Sequence, residues 1–287
     1  MLFEAAIAMD RGEPDVAAAL LMGATGLLES AITHNILAQA YTLPERYPHS
    51  SPEALAPGPR RALLLNRLAA FDADLYCLQE VEADAFSAIA ARLGPDFQGL
   101  LAQKRGKPDG CALFLRRDAF TLQHHETLHY RDVDPGYDHL ALLARVQHQH
   151  LTLTIVSTHL RWQPRSTPPA SHQGRLQLME LLDHLDHLDQ DGNGAALIAG
   201  DMNTLSDGPV IRAALDRGSR LSCRGQRPWD TVNIDGRRRK LDYLLYSPDH
   251  LHPTPAPLPR LQRDTPMPSH SEPSDHLPIA VRYTRLH

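Results

Sequence analysis

Short apolar runs, each with a polar residue at its edge, recur along the chain. Glu80 follows Leu75-Tyr76-Cys77-Leu78, His159 follows Leu153-Thr154-Ile155-Val156, and Asp201 follows Ala195-Ala196-Leu197-Ile198. Asp242 precedes Tyr243-Leu244-Leu245, and Asp275-His276 precedes Leu277-Pro278-Ile279-Ala280. An apolar run of about four to eight residues predicts a buried strand, with the polar residue marking where the strand reaches solvent. Strand ends sharing one rim would gather carboxylates, which repel and take up protons unless a cation lies among them. The pattern points to hard-metal chemistry.

Between these runs the periodicity predicts a strand over 31–37, helices over 60–71 and 83–93, and strands over 111–115, 140–146 and 151–156. The last two are separated by a polar turn of hairpin length, Gln147-His148-Gln149-His150. A helix over 173–188 carries Leu176, Met179, Leu182 and Leu185 on one face, and a short helix follows Pro209. Segment 42–59 has four prolines before Pro59 and segment 253–273 has seven, so both read as long surface loops that shape a site. The expected fold is α/β (α+β): two mixed sheets packed face to face with helices outside.

The 287 residues allow one large two-sheet domain, and composition separates no halves. Residues 1–30 stand apart as an N-terminal helical extension, with a helix over 14–30, leaving a domain over 31–287. The acidic Glu4, Asp10 and Glu13 before the apolar stretch 15–28 speak against a secretory signal, and that stretch is too short to span a bilayer. A net charge of -5 gives no global attraction to a polyanion, so such binding would need local basic clusters and a metal. The scattered Cys77, Cys111 and Cys223 suit a reducing, cytoplasmic compartment.

Single positions carry two readings. Asn35 and Glu80 offer oxygen ligands suited to magnesium or manganese, yet a lone strand-end glutamate also reads as a solvated or paired surface residue. In Gly200-Asp201-Met202-Asn203, glycine permits a tight turn and places Asp and Asn on one side, although an ordinary Asx turn has the same pattern. Asp242 could fix the tautomer of His276 and favour its protonated ring. His159 could contact a phosphate. His124-His125, His148 and His150 read as turn residues, and His184 with His187 lack further zinc ligands. Lys104, Arg105 and Lys107 form one basic loop, and Gly236-Arg237-Arg238-Arg239-Lys240 reads as a basic cluster or a solvated turn.

Taken together, Asn35, Leu78-Gln79-Glu80, Thr158-His159-Leu160, Gly200-Asp201-Met202-Asn203, Leu241-Asp242-Tyr243 and Ser274-Asp275-His276 resemble the endonuclease/exonuclease/phosphatase superfamily in order and spacing. Asn35-Ile36-Leu37-Ala38, Arg61 followed by the run from Leu75 to Val81, Lys107-Pro108-Asp109-Gly110-Cys111-Ala112-Leu113-Phe114, and His159-Leu160-Arg161-Trp162-Gln163-Pro164 resemble its branch of deadenylases, nocturnin, Angel proteins and 2',5'-phosphodiesterase. The resemblance implies a four-layer αββα sandwich and a magnesium-dependent phosphoesterase, with manganese as the substitute cation. It implies metal binding by Glu80, Asn35 and Asp275, water activation by Asp201, phosphate contacts from Asn203 and His159, and transition-state stabilisation by His276 oriented by Asp242. Trp162 and Pro164 match the branch's base-contacting segment. Arg237 stands where the branch has an aromatic residue, and with Lys107 it completes the candidate substrate contacts. The expected substrate is single-stranded RNA or a short nucleotide, attacked at phosphodiester or phosphate ends from the 3' side. The alternatives are a phosphatase for a nucleotide, cyclic phosphate end or other small ester, and a catalytically silent RNA- or protein-binding domain. No membrane partner is expected, and the sequence does not specify an oligomeric state.

Overall fold

The computed structural model describes residues 29–130, 138–189, 194–223, 230–234 and 236–285. The helix expected over 14–30 lies outside the described residues except for its last two positions, which begin a strand. Among the described residues fourteen strands follow in chain order: β1 Glu29–Asn35, β2 Leu75–Glu82, β3 Phe97–Gln103, β4 Asp109–Arg116, β5 Thr121–His129, β6 Leu140–His148 and β7 Leu151–His159. The remainder are β8 Ala195–Asp201, β9 Arg220–Leu221, β10 Val232–Ile234, β11 Arg237–Arg239, β12 Asp242–Tyr246, β13 Leu251–Pro255 and β14 Ile279–Arg285. The helices are α1 Pro52–Leu55, α2 Pro57–Phe71, α3 Ala83–Leu93, α4 Gln173–Leu188 and α5 Pro209–Asp216.

One six-stranded sheet has the order β13-β14-β1-β2-β4-β3, and the other β5-β6-β7-β8-β12-β9. Each has one parallel pair near its middle, β1 with β2 and β7 with β8, among antiparallel neighbours. The sheets pack face to face through Leu75, Cys77 and Leu113 of the first and Leu142, Ile155 and Leu197 of the second. Leu64, Leu68 and Ile89 bring α2 and α3 against the outer face of the first sheet, and Leu178, Leu181 and Ile211 bring α4 and α5 against the second. This is the expected four-layer αββα sandwich.

Local sequence accounts for most elements. Strand β2 is apolar and buried on both faces through Leu78, as a central strand in a covered sheet must be. Helix α2 begins on Pro57, where the missing N–H has no intrahelical partner to lose, and α3 stops at Gly94, whose φ of +83° ends the helix. The buried face of α4 is set by Leu178, Leu181, Leu182 and Leu185, so the expected stripe is rotated: Leu176 and Met179 are only half-buried.

Other expectations are corrected. Strands β3 and β5 were not expected; β3 is mostly half-buried and holds Gly99, while β5 is an exposed edge strand of polar residues with a bulge near His124. His124 and His125 therefore lie in a strand, and His148 is a buried strand residue whose Nδ1 is 2.7 Å from Ala119 O. The segment 42–59 includes α1 and the first residues of α2. Pro253 and Pro255 belong to edge strand β13, a position where prolines are tolerated because one side of the ladder is unpaired. The basic cluster at 236–240 is mostly β11 of a two-stranded hairpin with β10. All three cysteines are free and buried.

Candidate active site

The sheets deliver their polar ends to one rim. His159 and Asp201 are paired in register at the ends of parallel β7 and β8, and Asp242, the first residue of β12, stands opposite Asp201 across the antiparallel pair. From the other sheet, Asn35 ends β1 in register with Gln79, next to Glu80. Glu80 occupies a β-bulge, with a register shift between Gln79 and Val81 and a left-handed φ of +57°. Such a conformation is disfavoured for a residue with a Cβ, and the surrounding contacts hold it there. Glu80 Oε1 accepts from Asn35 Nδ2 (2.9 Å) and Oε2 from the Ala38 N–H (3.1 Å).

His276 sits between two acids. Its Nδ1 is 2.9 Å from Asp242 Oδ2, and its Nε2 is 3.7 Å from Asp201 Oδ2. Burial alone would strip the ring of its proton, but Asp242 and Asp201 outweigh that and hold its pKa well above the ordinary value. The protonated ring is favoured. Burial also raises Asp201, with Asp242 adding to the rise and His276 opposing it. The His276 backbone is fixed by Ser274 Oγ, which accepts its N–H (3.1 Å) and donates to Asn35 O (2.7 Å). His34, driven down to about 3 by burial, is neutral, so its Nε2–H is the proton that reaches His276 O at 3.0 Å.

His159 has the opposite charge state. Burial first, then the cations around it, push its pKa well below the ordinary value. Asn203, with a left-handed φ of +49°, donates through Nδ2 to Leu160 O (2.9 Å) and also approaches His159 Nε2 (3.0 Å). A donor at Nε2 requires the proton to sit on Nδ1. That Nδ1–H is buried, has no hydrogen-bond partner among the described residues, and lies 3.9 Å from Glu80 Oε1. It is a donor available to an anion between β2 and β7.

Asn35 has contacts at both ends of its amide. Its carbonyl oxygen accepts from the Leu37 N–H (3.0 Å), while its amide nitrogen donates to Glu80 and to Asp201 Oδ2 (3.2 Å). Asn35 therefore orients two carboxylates through its nitrogen, and its oxygen keeps a second lone pair beyond the bond to Leu37. The expected turn at Gly200 is revised: Gly200 is a strand residue, and its backbone approaches Thr158 too closely for a side chain.

Glu80 and Asp275, near enough to interact electrostatically, are carboxylates that could hold a cation. Burial and the charge of Asp275 raise Glu80, and the opposing pull of Asn35, Lys104 and His276 does not cancel that rise. Two hard oxygen donors held in that condition suit a divalent ion. Asp201, Asp242 and His276 also place one ligand atom each within 4.8 Å of one another. Both nitrogens of His276 face carboxylates in that triple.

The four candidate substrate residues stand outside this cluster. Trp162 is 55 % exposed on the segment after β7, with Pro164 exposed beyond it. Arg237 is exposed on β11 and Lys107 on the β3–β4 turn. Lys104 is not a free member of its basic loop: its Nζ pairs with the buried Asp109 at 2.6 Å, and Tyr41 donates to the same carboxylate at 2.7 Å.

Sequence reasoning missed several supports. Tyr47 donates to Asp275 Oδ2 (3.0 Å), and burial keeps its phenol protonated. Buried Arg60 ties Ile36 O (3.1 Å) to Pro273 O (3.0 Å), joining the chain after β1 to the segment before His276. Gln79 Nε2 donates to Ser157 Oγ (3.0 Å), linking the two sheets beneath the site. A glutamine inside an apolar run was the one local signal for such a link. Tyr47 and Arg60 had none.

Comparison with known proteins agrees with this geometry. A family model described as the Endonuclease/Exonuclease/phosphatase family matches residues 32–276. The CCR4-Not complex 3'-5'-exoribonuclease subunit Ccr4 of Candida albicans is 25% identical over 219 residues, covering 64% of this chain and 28% of the relative. The chain thus spans well under half of that relative's length. Carbon catabolite repressor protein 4 homolog 4 of Arabidopsis thaliana is 26% identical over 330 residues, covering 90% of this chain and 78% of the relative. Among solved structures, ANGEL2, a 2',3'-cyclic phosphatase, in complex with adenosine-2',3'-vanadate superposes with a TM-score of 0.76 at 20% identity, covering 91% of this chain and 96% of that one. No helix among the described residues is long and apolar enough to cross a membrane.

Proposed function

Because the chain belongs to the endonuclease/exonuclease/phosphatase family, we propose that it is a magnesium-dependent phosphoesterase that hydrolyses phosphodiester or phosphate ends of RNA or short nucleotides, with a 3'-exoribonuclease-like action. The observation that carries this reading is the placement of His276 between Asp242 and Asp201 on the same rim as Glu80. In-line attack on phosphorus demands positioning and charge neutralisation, and little else from a protein.

Glu80 and Asp275 would hold the cation, which when bound neutralises phosphate charge and lowers the pKa of water. His159 Nδ1–H binds the phosphate, and Asn203 holds that ring in orientation through Nδ2. His276 presents its Nε2 proton to charge developing on the phosphoryl oxygens, and Asp242 fixes that ring's orientation. Asp201, raised by burial, accepts a proton from the attacking water and aligns it. Trp162 supplies an exposed aromatic face on which a terminal base can stack.

The direct test is incubation with 5'-labelled single-stranded RNA. Stepwise shortening from the 3' end in Mg2+, abolished by EDTA and restored by added Mg2+, is the expected result. The adenosine-2',3'-vanadate held by ANGEL2 makes a 2',3'-cyclic phosphate end the second substrate to assay. No turnover of RNA, cyclic ends or mononucleotides would leave the silent-domain alternative.

Cation binding has a separate readout. A ligand at about 100 times its Kd stabilises by about 2.7 kcal/mol, a rise of several degrees in Tm. The parent protein is expected to show that rise in Mg2+, and Glu80→Gln to lose it. An equal rise in both would remove Glu80 from the cation site.

A further inference from the structure

A cleft of about 430 Å³ adjoins the catalytic centre. Tyr47, whose hydroxyl holds Asp275, is one of its walls; the β10–β11 hairpin and the loop at 263–267 form others. The proposed mechanism uses nothing else in it.

Asn233 on the hairpin decides what this cleft can hold. Its Nδ2 donates to Gln262 O (3.0 Å), Arg263 O (3.3 Å) and Thr265 O (2.6 Å), so three carbonyls fix which end of the amide carries the nitrogen. Its Oδ1 is left on the other side. The residue is 5 % exposed, and Oδ1 is buried without a hydrogen-bond partner among the described residues. An unpaired buried acceptor is costly, and an arriving ligand N–H removes that cost.

The other walls narrow the ligand class. Ile234 is 38 % exposed and gives the cleft an apolar face. Arg46 and Arg263 line it with exposed guanidinium groups that have no partner among the described residues. Among the described residues Asp264 is the one acid in the lining, against those two cations and His49. A buried acceptor, an apolar platform and free guanidinium groups match a nucleobase with its phosphate.

We propose that this cleft is a second nucleotide subsite, holding the nucleotide next to the scissile phosphate. The base edge donates to Asn233 Oδ1, the base face rests on Ile234, and Arg46 with Arg263 receives the phosphate. The assignment rests on the hydrolytic reading for its substrate class. It makes a strand of at least two nucleotides a better ligand than a mononucleotide.

Binding can be read without turnover, by fluorescence anisotropy of a labelled single-stranded RNA tetranucleotide in EDTA. The doubly substituted Arg46→Ala/Arg263→Ala protein is expected to bind about tenfold more weakly and to flatten the dependence of log affinity on log salt by about 1.4. An abasic spacer is expected to weaken binding to the parent at one position in particular, and Asn233→Leu to erase that position's penalty. Because Asn233 also braces a loop, the exposed arginine pair keeps the test decisive if the leucine variant does not fold. Parent-like affinity and salt slope in the arginine variant would overturn the subsite. If that variant loses affinity while the parent cleaves no RNA in Mg2+, the subsite stands and the hydrolytic reading falls. If RNA is cleaved and the variant binds as the parent does, the subsite falls alone.

Discussion

His276→Ala is expected to lower kcat on RNA by about 10³-fold, the scale lost when one preorganised donor to a developing oxyanion is removed. The same substitution is expected to destabilise the protein by about 3 kcal/mol. The second effect follows from Asp242: among the described residues its fully buried carboxylate hydrogen-bonds through its side chain to His276 alone. Removing the ring strands that charge. The two effects separate in the double variant His276→Ala/Asp242→Asn, which removes the stranded charge along with its partner. Its melting temperature is expected to recover most of the loss while kcat stays at the level of the single variant, since residues acting as one unit are not additive. A double variant with parental turnover would show that His276 only supports the fold. A single variant within about tenfold of the parent would remove it from the chemistry, because general acid–base and oxyanion contributions exceed that range.

How much of this was legible in the sequence depended on the kind of force involved. Strand ends were readable because buried runs such as Leu75–Leu78 must be apolar, and a polar residue after them has to lie at the rim or find a partner. That logic located Glu80, His159, Asp201, Asp242 and His276, which the structure gathers together. It could not assign the two ends of Asn35, because which end faces Glu80 is set by a hydrogen bond to Leu37 and by carboxylates from two other strands. Lys104 looked like a solvated loop cation for a similar reason: its partner Asp109 is buried by strand pairing that composition does not report.

The elements missed share a physical cause. Strand β5 faces solvent at a sheet edge, so its residues need not alternate cleanly, and β3 carries a glycine where the rings of Phe86 and Phe114 pack. Strand β10 is three residues long, and its Val232 is placed by a bridge to His276 and by the Leu277 N–H reaching Thr231 O at 2.7 Å. No local period encodes such a contact. The orphan acceptor of Asn233 belongs to the same class, because three carbonyls from a distant loop create it.

Gly200→Ala is expected to reduce stability and activity together, more severely than its size suggests. A Cβ at this position would overlap the Thr158 carbonyl oxygen and lie 2.9 Å from its carbon, both backbone atoms that cannot swing aside. Thr158 is its partner in the parallel β7–β8 pair, and the next rung joins His159 to Asp201. Relief of the clash must therefore spread the strands at the rung that aligns the proposed phosphate donor with the proposed water base. Overpacking a rigid contact of this kind costs about 3 kcal/mol, which lowers Tm by roughly 5 °C. Turnover is expected to fall by about 10²-fold even below the new Tm, since displacements near 1 Å at reacting groups have that effect. Gly58→Ala is the matched control: Gly58 lies in the first turn of α2 with nothing within 4 Å of its added carbon, so its Tm and rate are expected to stay near the parent's. Should Gly200→Ala melt and turn over like Gly58→Ala, the close approach of β7 and β8 would have no part in holding His159 and Asp201 in place.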